Sequence, residues 1–333
     1  MIINPFSDYE SANYDYFTSS LFIQSWANQV ITRKMEQSIW EISVNHPTGE
    51  RLIIIGQRGI GKTTTLYSAK KKLDENGIKN FFFTHLFEDA AHFQKLAGES
   101  ISSALQNPVY LLIDFPDEVE TAQFKSLLSF VWDCISGPYC KNVNFLFAMN
   151  HSHYSKSFSF SEILGKFMTF RLEPFSQEET LELISCRLDK IGTKVNEIFP
   201  VDVLEMIYAY SRGIPRNIIT ACNLLFDASY KGGCTSSIAH KILNENYFEY
   251  TIKDRVSDGQ LRRDYLILLR ILRDDFKGAT SSKMEYISKC QEATGMGRMM
   301  IHKMIEELIN FGVMFEERTG EKRISKMISL TPL

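Results

Sequence analysis

Gly56-Gln57-Arg58-Gly59-Ile60-Gly61-Lys62-Thr63 reads G-x-x-x-x-G-K-T, a spacing suited to holding phosphate. The glycines let the backbone wrap anionic oxygens without Cβ clashes. Lys62 is placed to reach the β/γ-phosphates of a nucleoside triphosphate, and the Thr63 hydroxyl to ligate Mg²⁺; Thr64 completes the set of cofactor contacts. Asp114 ends a later apolar run, where a carboxylate can face the Mg²⁺ shell. Hydrolysis also needs a group that orients or deprotonates water, often a glutamate next to that aspartate. Here the next residue is Phe115, and the acids follow at Asp117 and Glu118. Either can serve, with Glu118 the first choice, and slow hydrolysis is expected. Asn150 ends a further apolar run and can hydrogen-bond a γ-phosphate and the attacking water. Arg216 follows Pro215 in Ser211-Arg212-Gly213-Ile214-Pro215-Arg216; proline in a first helical turn fixes the direction in which that guanidinium projects, which suits a triphosphate across a cleft.

These residues need particular elements to position them. Leu52–Ile55 reads as the strand that delivers the phosphate loop, and Thr63–Leu73 as the helix whose N-terminus faces the anion. Strands are also expected at 80–84, 109–114, 143–150 and 168–172, with helices near 88–105 and 119–136 between them and an amphipathic helix at 20–45 before them. Continuous apolar strands alternating with helices argue for a parallel five-stranded sheet covered on both faces. From Pro174 only helices are expected. Ser176-Gln177-Glu178-Glu179 is a capping box opening a helix to about 191, and further helices fit 200–211, 215–229 and 235–250.

A polar stretch, 254–263, is read as a separator before a third segment. There, helices at 265–273, 282–291 and 298–311 precede two strands, 313–318 and 323–328, in winged helix-turn-helix order, with Gly312 as helix cap. Residues 261–333 hold 13 Lys and Arg against 10 Asp and Glu, a net of +3, while the remainder holds 24 against 30, a net of −6. That asymmetry favours contact with double-stranded DNA through the third segment. Arg298, Met299, His302 and Lys303 begin its recognition helix, and Arg318, Lys322, Arg323 and Lys326 lie on the hairpin, where they can neutralise phosphates. The expected domains are 1–173 (nucleotide-binding), 174–253 (helical lid) and 254–333 (winged helix).

The 333 residues suit two or three domains, and 44% hydrophobic with 23% charged residues is ordinary for a globular chain. A net charge of −3 excludes a polycationic nucleic-acid coat. The six cysteines form no C-x-x-C pair, which fits buried thiols rather than disulfides or zinc. The opening residues show no leader pattern and no apolar run approaches the roughly 20 residues of a membrane span, so a cytoplasmic location is expected, nucleoid-associated when DNA-bound.

In order along the chain, the phosphate loop, the Asp114 strand, Asn150, Phe170-Arg171-Leu172-Glu173-Pro174-Phe175-Ser176-Gln177-Glu178-Glu179 and Gly213-Ile214-Pro215-Arg216 resemble the AAA+ ATPases of the initiator clade. These are the origin-recognition and Cdc-six-type replication initiators, with TniB/TnsC transposition regulators and ExeA-type ATPases as near relatives. The resemblance implies an α/β P-loop core, a helical lid and a C-terminal winged helix. It also implies ATP/ADP and Mg²⁺ as cofactors, Asn150 as sensor 1, Arg216 as sensor 2, and Asn4, Pro5 and Phe6 beside the adenine. Lys166 and Arg171 occupy the region of the family's arginine finger, and neither matches it cleanly. The expected function is an ATP-dependent switch that assembles on DNA, with itself or with a partner protein. The alternative is a STAND-like signalling or defence-complex ATPase whose winged helix docks protein.

Overall fold

The structure, a computed structural model, describes residues 6, 49–83, 98, 107–115, 121–137, 141–150, 154, 161–230, 234–256, 258–280, 282–311, 313–319 and 325–330. The helices expected at 20–45 and 88–105, the Gly312 cap, and the site residues Asn4, Pro5, Asp117, Glu118, Lys322 and Arg323 lie outside the described residues. The chain divides into two compact units, Thr32–Glu173 and Pro174–Leu333, the latter joined by Phe6.

In the first unit, β1 (Arg51–Gly56), α1 (Lys62–Glu75), β2 (Lys79–Phe83), β3 (Val109–Asp114), α2 (Thr121–Ser136), β4 (Val143–Asn150), a short α3 (Ser161–Leu164) and β5 (Met168–Arg171) follow one another. The five strands are parallel in the order β2-β3-β4-β1-β5. Alternation along each strand divides the apolar residues between two cores. Leu52, Ile54, Leu112, Leu146 and Ala148 pack with Leu66, Ala69 and Leu73 of α1. Ile53, Ile55, Leu111, Ile113, Phe145 and Phe147 pack with Phe124, Leu127, Leu128 and Val131 of α2. Both faces are therefore covered, which is why these strands read as unbroken apolar runs.

Asn144 interrupts the β4 run and is fully buried. Its side-chain oxygen accepts from the Glu50 N–H at 2.7 Å, and its amide donates to the Val109 carbonyl at 3.3 Å. It thereby ties the N-terminal ends of β1 and β3 across β4, satisfying a polar group that would otherwise be costly there.

In the second unit the capping box forms as the sequence predicts. The Glu179 N–H donates to Ser176 Oγ at 3.1 Å, and the Ser176 N–H to Glu179 Oε2 at 2.8 Å, opening α4 (Gln177–Leu188). A 3₁₀ turn (Asp189–Ile191), α5 (Val195–Ile198), α6 (Val201–Ser211) and α7 (Pro215–Tyr230) come next. The helix expected at 235–250 is α8 (Ser236–Ile242), a π-turn at Leu243–Tyr247, and α9 (Phe248–Arg255). The polar stretch read as a separator is mostly helix. α9 runs to Arg255, and α10 (Gly259–Asp274) starts after Asp258, whose carboxylate caps the Leu261 N–H at 2.7 Å. The correction is physical: the polar residues occupy the outer face of α10, whose Tyr265, Leu268, Leu269 and Leu272 point inward. β6 (Ala279–Thr280), α11 (Lys283–Thr294), α12 (Arg298–Asn310), β7 (Met314–Thr319) and β8 (Ser325–Leu330) complete the unit. The last strands form an antiparallel sheet in the order β6-β8-β7. The two-residue β6 is too short to leave a period-2 signal.

Candidate nucleotide-binding site

The loop between β1 and α1 is anchored from below by Ile60, whose side chain is fully buried in the α1-side core. Gly61, with φ 102°, turns the chain into α1 through a conformation that side-chain-bearing residues rarely adopt. It is also the helix N-cap, and no side chain caps the end or puts an acid into the first turn. The positive end of the helix dipole is thus left for an anion.

Register then brings the reacting groups together. Gly56 pairs with Asn150 at the C-terminal ends of β1 and β4, and Asp114 pairs with Ala148 one strand further on. Lys62 is only 8% exposed. Its Nζ donates to the Gly56 carbonyl at 3.1 Å, the Gln57 carbonyl at 3.0 Å and Asn150 Oδ1 at 3.0 Å. The Thr63 hydroxyl donates to Asp114 Oδ2 at 2.5 Å. Arg58 and Thr64 are half-exposed in the loop and the first helical turn.

This donor set fits a triphosphate with Mg²⁺. Thr63 and Asp114 offer two hard oxygen ligands, and Mg²⁺ takes few protein ligands, keeping waters and phosphate oxygens for the rest. Among the described residues no group of three or more His, Cys, Asp or Glu could hold a metal ion. When bound, the cation would neutralise charge between the β- and γ-phosphates. Lys62 would turn its ammonium toward the same phosphates, which frees Asn150 Oδ1.

Tyr67 was not foreseen. It lies one turn beyond Thr63, the i,i+4 spacing that could have marked it. Burial, with the Asp114 charge adding to it, pushes its phenol up to about 12, and its ring lies 4.6 Å from that of Phe82. Tyr67 therefore stays neutral beside the candidate Mg²⁺ ligand at physiological pH.

Phe115 faces the other way. Its N–H extends the ladder to the Ala148 carbonyl at 2.9 Å, and its ring sits 5.4 Å from Phe147 and 5.5 Å from Phe124 in the α2-side core. The position after Asp114 is thus a core position on the sheet face opposite the phosphate loop. Of the residues in the region of an arginine finger, Lys166 Nζ lies 4.1 Å over the Trp132 ring and Arg171 is exposed, 3.8 Å from Glu173.

In the second unit, Arg216 stands in the first turn of α7 and is half-buried. The turn before it is tightly built. Arg212 and Gly213 are both left-handed, with φ 47° and 71°. The Gly213 carbonyl accepts from the Phe175 N–H at 2.7 Å, and a Cβ on Gly213 would lie 2.0 Å from the Phe175 carbonyl oxygen. Phe6 is buried, its ring 6.1 Å from Phe199 and 6.0 Å from Phe226. Arg298 and Lys303 are exposed on α12 and His302 is half-exposed; Lys303 lies 3.8 Å from Glu307. Positions 318 and 326 are backbone partners in the β7–β8 register.

No family model matches the sequence, and no curated protein sequence matches it. Solved structures do. Orc1 of Aeropyrum pernix, solved in complex with DNA, superposes with a TM-score of 0.54 at 11% identity, covering 96% of this chain and 93% of that one. A RuvB variant of Thermotoga maritima gives 0.54 at 18% identity, covering 89% and 92%. AMPPCP-bound DnaA of Aquifex aeolicus gives 0.50 at 12% identity, covering 84% and 94%. At these identities the likeness is one of fold. With its β2-β3-β4-β1-β5 sheet and its phosphate loop, this chain has the AAA+ P-loop fold that the Orc1, RuvB and DnaA structures share.

Proposed function

We propose that the protein is an ATP-dependent DNA-binding switch of the replication-initiator type. The observation that carries this reading is the convergence of Lys62, Thr63, Asp114 and Asn150 at the strand ends, with the uncapped start of α1 above them. Lys62 and the helix N-terminus hold phosphate, Thr63 and Asp114 hold Mg²⁺, and Asn150 meets the γ-phosphate. Arg216 is the contact from the helical unit, and Phe6, with Asn4 and Pro5, approaches the adenine. ATP thereby favours a closed form that assembles on DNA, with further copies or with a partner. Hydrolysis is slow because the position after Asp114 belongs to the core; Glu118 or Asp117 carries the water.

The third segment, 254–333, acts as a winged helix on duplex DNA, with Arg298, His302 and Lys303 toward the bases and Arg318, Lys322, Arg323 and Lys326 toward phosphates. Its +3 net charge supports this, as does the DNA complex of the Orc1 structure that shares the fold. Titrating duplex DNA with the protein, with and without ATP and at several salt concentrations, tests the reading. Tighter binding with ATP is expected, and no affinity in any nucleotide state sinks it.

A further inference from the structure

We infer that Met299 reads thymine in the major groove, so that sequence preference resides in an apolar contact rather than in the neighbouring cations. This rests on the proposal that α12 enters duplex DNA. Met299 is 85% exposed, the most exposed large apolar side chain among the described residues. It has company: Met284 at the start of α11 is 54% exposed and Met300 41%. Exposed methionines gathered at one end of a helix carry a cost that calls for an apolar target.

The surroundings define that target. At about 100° per residue, Arg298, His302, Met299 and Lys303 share one outer face of α12, opposite the buried Ile301, Met304, Ile305 and Leu308. Glu306 shares the face two turns on, beyond the end that would enter a groove. The first turn of α12 holds no acid. Arg298 leans on Met284, its Nη2 donating to Met284 Sδ at 3.0 Å, and Met299 stands exposed beside it. A protein-docking core gathers apolar residues and pushes charge to the rim. Here Arg298 and Lys303 share the face of Met299, with Met284 and Met300 also exposed, instead of lying on a distant rim. A polyanion that carries isolated methyl groups fits this pattern, and the thymine C5-methyl in the major groove is such a group. The thioether is flexible and polarizable and follows the methyl without demanding one rotamer.

The full-length protein with ATP should select duplexes from a randomised pool, and the selected duplex should then be made with deoxyuridine in place of each thymine. Removing the methyl that Met299 covers is expected to weaken binding about fourfold, the worth of one buried methyl group. Met299→Ala should bind the two duplexes equally, and Met299→Leu should restore the preference. Both changes lie on an exposed side chain, so folding is not at stake. Equal binding of the two duplexes by the unaltered protein, or a preference that survives in Met299→Ala, overturns the inference while leaving DNA binding standing. Failure to select any duplex overturns the DNA reading itself.

Discussion

Phe115 sets the terms of the chemistry at this site. Its ring is wedged between Phe124 and Phe147 on the face away from the phosphate loop. Placing a glutamate there does not install a base; it buries a carboxylate in an aromatic core. Phe115→Glu is expected to cost at least the 3–5 kcal/mol typical of a deleted buried phenylalanine, read from the urea midpoint, without raising phosphate release. A faster ATPase in that variant would refute this reading of the site. Lys62→Ala should abolish binding of a fluorescent ATP analogue, whereas Asn150→Ala should keep it within tenfold while slowing phosphate release on the order of 10²-fold, the usual cost of a lost transition-state hydrogen bond. Cys134 carries a further signature. Burial, aided by Asp133, pushes its thiol up to about 12 from 9.0. The folded state thus holds a proton that the unfolded chain loses first. Stability from this group is complete below about pH 9 and is lost as pH rises toward 12, and urea titrations across that window should show the decline.

The short turn before α7 is the element that aims Arg216. Two left-handed residues in succession, with the Phe175 backbone against Gly213, leave no room for a Cβ. Gly213→Ala is expected to lower the thermal midpoint of the helical unit sharply, by several kcal/mol in stability terms. Where the variant still folds, it should lose any preference for ATP over ADP that the proposed Arg216 contact provides, as should Arg216→Ala. Arg212→Gly, which relieves a left-handed arginine, should leave that preference intact and the stability equal or higher. An unchanged midpoint in Gly213→Ala would show that the clamp is dispensable. The turn also shows what could be read from the chain alone. Gly213-Ile214-Pro215-Arg216 marked a helix start carrying an arginine, and 52–55, 109–114 and 143–150 marked strands, because local spacing and capping chemistry determine those features. Nothing local tells that Phe175, some forty residues earlier, closes on Gly213, or that Asn144 spans three strands. The polar 254–263 stretch misled for a related reason: on an amphipathic helix polarity marks an outer face as readily as a linker, and only the inward Tyr265 and Leu268 tell the two apart. Tyr67 escaped because its importance comes from Asp114, which reaches it through the β3 register.

For the molecule as a whole, the proposed DNA binding rests on the balance between an acidic body and a basic tail. If Arg318, Lys322, Arg323 and Lys326 each neutralise a phosphate, as proposed, the slope of log affinity against log salt should be about −3.6, and each alanine substitution at these positions should reduce it by about 0.9. ATP action is tested through the two compact units, because hydrogen exchange reports on each separately. ATP at 100 times its dissociation constant should raise the opening free energy of α1 and its sheet by about 2.7 kcal/mol, the mass-action value for a ligand bound only to the folded state. If Arg216 engages the same nucleotide, α6 and α7 must gain protection too, because opening them then releases part of the binding energy. In Arg216→Ala the gain should be confined to the unit that carries the phosphate loop, and in Lys62→Ala neither unit should gain. Protection of α1 without any change at α6 and α7 in the unaltered protein would mean that nucleotide is held by the P-loop unit alone. The proposed switch would then lack the means to move its DNA-binding segment.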